Sequence, residues 1–197
     1  MIFGQEVPPG ALQAVERMPG VLRAEPLRMA SVILHHGHRQ KRLNLSSANM
    51  NPDLGRILDT DLKPVNPPSR GLLLTERVAQ ILHARVGDSI RVELLDKGHR
   101  IVVAPVTGIV QSYFGLGAYM QADAFDHLIG DGRRVSAVRI AMDAHAADRL
   151  YKEIKNTPAI SAIALQGISR QRFRETIEEN IALMTTVYTV LAIIITF

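Results

Sequence analysis

The sequence has no cysteine and no tryptophan. The first absence excludes a disulfide framework, a thiolate metal site and a cysteine nucleophile. The second, with aromatics at only 5%, argues against nucleic-acid binding, which stacks bases on aromatic rings. No GxxxxGK[ST] occurs, so no phosphate loop of an ATPase is present, and Gly115-Leu116-Gly117 and Gly130-Asp131-Gly132 lack the third glycine of a dinucleotide loop. Neither a Gly-x-Ser-x-Gly elbow nor an HExxH pair is found. Met1-Ile2-Phe3-Gly4 has no basic segment leading into an apolar one, so any export signal is expected outside this sequence.

What is present is a chain of 197 residues, 47% hydrophobic and 21% charged, with net charge +4. That is enough apolar material for a packed core of one two-lobed domain or two small ones. Lys and Arg are spread along the whole length, so the positive balance does not itself mark a binding face.

The run from Ile181 to Phe197 contains no charge. A helix crossing a bilayer needs roughly 20 apolar residues, and this run reads as the start of such a helix, cut short. Phe173, Ile177, Ile181, Met184, Tyr188 and Leu191 recur every three or four residues, which extends one helix from about Ser169 through an exposed stalk into lipid. Three arginines and three glutamates between Arg170 and Glu179 cancel, so they set no orientation.

A half-repeat flanks the middle of the chain. Ala11 to Pro26 and Leu150 to Gln166 each read as a short helix stopped before a proline, Pro19 or Pro158, then a strand opening at Val21 or Ile160. Each has an apolar stretch upstream, Met1 to Gln5 and Val135 to Met142. Two such units separated by an insertion predict an α+β fold with a split βαβ lobe of ferredoxin-like character, about 1–26 and 135–168, with both termini in one lobe. The insertion, about 27–134, reads as strand-rich. Met29–Leu34 and Arg42–Leu45 flank a hairpin tip at His36-Gly37-His38; Gly71–Leu74, Ser89–Leu95 and Ile101–Gln111 are further strands. Helices are expected from Thr75, as N-cap, to about His83 and from Asp123 to Leu128, with Asn66-Pro67-Pro68-Ser69 as a loop. Residues 169–197 form the stalk and membrane helix.

The order Gly71-Leu-Leu-Leu-Thr75-Glu76, amphipathic helix, Val86-Gly87-Asp88-Ser89-Ile90, hairpin, Val106-Thr107-Gly108-Ile109-Val110 and Gly115-Leu-Gly-Ala-Tyr-Met120 resembles the periplasmic core domain of FtsX-like/MacB-like ABC transporter permeases. Phe173 to Val187 is similar to the start of their second transmembrane helix. The resemblance implies a domain on the periplasmic side of the bacterial inner membrane, set between two membrane helices and touching lipid through the C-terminal one. It implies ATP bound and hydrolysed on a separate cytoplasmic ATPase subunit, a permease dimer partner or second permease half, and transmission of the ATPase cycle to the periplasm. The alternative role is an FtsX-type scaffold that regulates a periplasmic partner such as a cell-wall hydrolase.

No catalytic, cofactor or metal residue is nominated. His35, His36 and His38 split between two faces of a strand, with no carboxylate close in sequence, and read as a solvated tip. Arg39, Lys41 and Arg42 extend that tip as a basic patch suited to lipid headgroups. Asp59 and Asp61 lack a companion nucleophile and read as a polar loop. The nominated partner or substrate contact is the apolar cluster Phe114, Leu116, Tyr119 and Met120, beside a glycine-rich bend that leads into an expected edge strand.

Overall fold

The structure, a computed structural model, describes residues 1–112 and 115–164. The chain divides into two compact units, Met1–Ala162 and Ile163–Phe197. The stalk and membrane helix expected over 169–197 lie outside the described residues. Among the described residues, no helix is long and apolar enough to cross a membrane.

The first unit opens with β1 (Ile2–Val7), α1 (Ala11–Glu16) and β2 (Val21–Leu27). Then come β3 (Met29–His36), β4 (Arg39–Ala48), β5 (Ile57–Leu58), β6 (Pro64–Val65), β7 (Leu72–Thr75), α2 (Glu76–Leu82), β8 (Ser89–Leu94), β9 (Arg100–Val110), β10 (Ala118–Gln121) and α3 (Ala122–Ile129). It closes with β11 (Val135–Met142), α4 (Ala147–Lys155) and β12 (Ile160–Ala162).

The outer elements form one antiparallel sheet in the order β12-β1-β11-β2. In β11, Val138 and Ile140 belong to the same core as Val15 of α1 and Leu150 and Ile154 of α4. Each fully buried aliphatic side chain contributes roughly 1.5–3 kcal/mol. Both helices end at the expected breaks. Gly20 at φ 79 turns the chain into β2, where Val21 N–H donates to Met18 C=O at 3.2 Å, and Thr157 N–H donates to Ile154 C=O at 3.0 Å before Pro158.

The insertion closes into a six-stranded barrel, β10-β4-β3-β8-β9-β7. Alternation along β3, β8 and β9 fills much of its interior: Val32 and Leu34 of β3, Ile90, Val92 and Leu94 of β8, and Ala104 and Val106 of β9 are buried. α2 contributes Val78 and Leu82 to this core, and α3 contributes Phe125 and Ile129. The sequence predicted strands here but not their closure. Closure comes from β10, which pairs in parallel with β4 and antiparallel with β7, so it is an internal strand rather than the edge strand expected after the glycine bend.

A second correction concerns Thr75. It stands at the N-cap of α2 as expected, but its hydroxyl makes no capping bond. Instead it donates to Gly117 C=O at 3.2 Å and accepts from Gly117 N–H at 3.0 Å, while Thr75 N–H reaches the same carbonyl at 2.9 Å. The buried hydroxyl is more useful tying two barrel segments together than satisfying a helix end that Glu76 already favours by charge.

Candidate functional site

The sheet and the barrel meet where the chain passes directly from β2 to β3, and the single residue between those strands is Arg28. Its side chain is 3% exposed. The guanidinium donates from Nε to Glu6 Oε1 at 2.8 Å and from Nη2 to Glu6 Oε2 at 3.1 Å, a two-pronged pair with β1. Nη1 donates to Asp126 Oδ1 of α3 and to Gly132 C=O, both at 2.8 Å, and Nη2 also donates to Asp131 Oδ1 at 2.5 Å. The cation lies 5.7 Å from the centroid of Phe125. Its backbone N–H donates to Ser47 Oγ at 2.9 Å. One side chain therefore ties the sheet, the capping helix of the barrel and the return strand linker.

Lys97 completes the cluster, donating to Asp131 Oδ2 at 2.6 Å and standing 3.6 Å from Glu6 Oε2. Burial pushes the Asp131 carboxyl up, but hydrogen bonds from Arg28 and Lys97 outweigh it and hold the group at about 2. Glu6 follows the same pattern: burial raises it, and the Arg28 hydrogen bond with the Arg28 and Lys97 charges brings it below its ordinary value. Burial opposes the Arg28 charge, and bonds to Glu6, Asp131 and Asp126 more than restore it.

A second tie lies across the neck. Glu25 of β2, 8% exposed, accepts backbone N–H bonds from Asp53 at 2.6 Å and Leu54 at 3.1 Å, so it caps the loop leaving β4. The guanidinium of Arg139 of β11 packs against Gly55, where an added Cβ would require that side chain to shift. Clefts of about 400 and 490 Å³ open on the neck; Arg28, Leu27 and Met50 help line the first, Glu6, Lys97 and Ser136 the second.

Two of the nominated contact residues, Tyr119 and Met120, do not share a face. Phe114 lies outside the described residues. Leu116 is 45% exposed, Tyr119 packs half-buried with Ala48, Ile57, Leu73 and Val110, and Met120 is 2% exposed in the barrel interior. Tyr119 and Met120 are consecutive in β10, and successive strand residues point to opposite faces. Gly117 does allow a close approach, but to the ring of Tyr119 in its own chain.

The histidines have carboxylate neighbours that the sequence distance concealed. His35 Nε2 lies 2.8 Å from Glu93 Oε2, and His99 Nδ1 lies 2.6 Å from Glu93 Oε1; these two hydrogen bonds, His99 foremost, lower the Glu93 carboxyl. His36 Nδ1 bonds Leu82 C=O at 3.0 Å, whereas His38 is exposed. Among the described residues no group of three or more His, Cys, Asp or Glu is arranged to hold a metal ion. Asp59 Oδ1 accepts from the N–H groups of Asp61 and Lys63 at 2.9 and 2.8 Å, which shapes the β5–β6 turn.

Two solved structures are similar to this one. The extracellular domain of the ABC-type transporter YknZ from Gram-positive bacteria superposes with a TM-score of 0.49 at 12% identity, covering 78% of this chain and 87% of that one. The periplasmic region of MacB from Actinobacillus actinomycetemcomitans gives 0.48 at 14% identity, covering 90% and 84%. The first of these neighbours is an extracellular domain and the second a periplasmic region. No protein-family model matches the sequence. No curated protein matches it.

Sequence reasoning missed Arg28 altogether. It sits alone between two apolar strands, and its partners are up to 104 residues away. The only local signal is a charge where the surrounding pattern runs apolar on both sides, at Leu27 and Met29.

Proposed function

We propose that this chain is the extracytoplasmic domain of an ABC transporter permease of the FtsX-like/MacB-like kind. Motion of membrane helices, driven by a separate cytoplasmic ATPase, passes through the Met1–Ala162 body to the outer side, where a substrate is exported or released. The sheet acts as a split βαβ, ferredoxin-like base; residues 169–197 act as a stalk and membrane helix in the bacterial inner membrane. A second permease half completes the membrane part, and ATP stays on the ATPase subunit, so we assign no catalytic step to this chain.

The observation that carries this reading is the pairing of β1 with β12, Ile2 opposite Ala162 and Phe3 opposite Ile160. The chain enters and leaves the body through adjacent strands, as a domain inserted between two helices requires. The uncharged run Ile181–Phe197 follows the exit strand. The Arg28 cluster supports transmission, because it joins the base to the barrel through charges already matched to one another.

These 197 residues are free of cysteine, so a cysteine placed at Ser69 is the one thiol among them, and the unsubstituted protein is the labelling control. In the protein as the cell makes it, that cysteine is expected to react with an impermeant maleimide added outside intact spheroplasts, and the protein to stay in the membrane after carbonate washing. Labelling only after lysis, or recovery in the soluble fraction, rejects the proposal. Co-purification with a periplasmic hydrolase, without ATP-linked export, assigns the regulating role instead.

A further inference from the structure

A barrel removes sheet edges only where each strand is paired along its whole length. β8 covers β9 from Arg100 to Pro105 on one side, but β7 pairs on the other only from Val106 to Val110. The cause lies before β7. Gly71, at φ 77, turns the chain, and a Cβ there would stand 2.5 Å from the Pro105 carbonyl oxygen. Upstream, Pro67 and Pro68 have no N–H to offer a ladder. Among the described residues no strand lies against Ile101–Val103 on that side.

The register says which groups are left. Val106 faces β8, donating to Asp88 C=O and accepting from Gly87 N–H, both at 2.8 Å. Backbone groups alternate along a strand, and the β8–β9 register is regular, so Ala104 and Val102 also face β8. The N–H and C=O of Ile101 and Val103 therefore face the open side. Their side chains are 55% and 64% exposed. The edge opens into a groove of about 410 Å³ with Val103, Ala104 and Pro105 on one wall and Ala124, His127 and Leu128 of α3 on the other. Arg100 Nη2 fixes that second wall by donating to Leu128 C=O at 2.7 Å.

Charge around the groove is one-sided. Arg70 stands at its end, and Arg91 lies opposite Val103 on β8; neither has a carboxylate partner among the described residues. The groove's carboxylate, Asp123, is taken by Arg133 at 2.9 Å.

We propose that this edge is a docking site for an extended peptide segment of a partner protein, alternating apolar and acidic residues, which adds as a further strand beside β9. Its backbone completes the ladder at Ile101 and Val103, its apolar side chains turn toward Met120 and Ala124, and its carboxylates meet Arg70 and Arg91.

The test uses the full chain and a short capped peptide of alternating valine and glutamate. Hydrogen exchange at the Ile101 and Val103 amides is expected to slow by about tenfold or more on saturation, while Val102 and Ala104, already bonded to β8, stay unchanged. Val103→Pro removes a donor on the open side only, and is expected to weaken binding by about tenfold. Should that variant unfold, the same peptide N-methylated at alternate residues must lose binding to the unaltered chain to the same degree. Equal affinity of the N-methylated peptide, or no protection at Ile101 and Val103, overturns the proposal. So does protection in the free protein that grows with its concentration, which would give the edge to a second copy of the chain.

Discussion

Arg28 and Glu6 share two parallel hydrogen bonds, Nε to Oε1 at 2.8 Å and Nη2 to Oε2 at 3.1 Å, so the first strand of the sheet is fastened to the residue from which the barrel begins. Planar two-pronged recognition is specific to arginine and is lost with a lysine at the same place.

Arg28→Met leaves Glu6, Asp126 and Asp131 facing one another with one of their two cations gone. Removing one partner from a buried ion pair costs about 3–5 kcal/mol. Urea denaturation is expected to show a loss near the lower end, because the three carboxylates keep 19–27% exposure. Arg28→Lys is expected to fall between.

Acid should loosen the same joint. Asp131 and Glu6 both have folded values below their ordinary ones, 3.8 and 4.5. Their contribution is therefore present above the ordinary range and disappears as pH falls through the folded values, toward about 2 for Asp131. Chemical denaturation from pH 6 to pH 2 is expected to give a falling curve, and Asp131→Asn a shallower one.

Thr75→Val removes both hydroxyl bonds to Gly117 inside a buried site. An unsatisfied buried amide costs about 1–3 kcal/mol. The melting temperature is expected to drop accordingly, and Thr75→Ser to retain most of the stability.

Two glycines separate conformational strain from crowding. Gly37, at φ 59, has nothing within 4 Å of an added Cβ, whereas Gly71, at φ 77, has the Pro105 carbonyl oxygen at 2.5 Å. Gly37→Ala is expected to cost about 1 kcal/mol for the left-handed backbone alone. Gly71→Ala should cost clearly more in the same denaturation assay, since a backbone oxygen cannot move aside.

Much of the local structure was legible because local causes produce it. Val135 to Met142 is an apolar stretch, and it forms a strand over those same residues. Pro19 and Pro158 each end a helix and open a strand. Barrel closure was not legible, because β10 is short and its parallel partner β4 lies some 70 residues earlier, beyond any periodic signal. Tyr119 and Met120 looked like one apolar cluster because composition ignores the two-residue period of a strand. Arg28 and Glu93 were invisible for the complementary reason: their roles arise from partners that only the fold assembles.

The pairing of β1 with β12 has a mechanical consequence. Ile2 lies opposite Ala162 and Phe3 opposite Ile160, so the outer ends of the two strands lie side by side. Pulling both together loads the body as a single piece and puts no shear on the bonds between them. Drawing them apart peels those bonds one at a time, starting at the outermost. The same foot that is stiff to a shared push is therefore a weak clasp against separation.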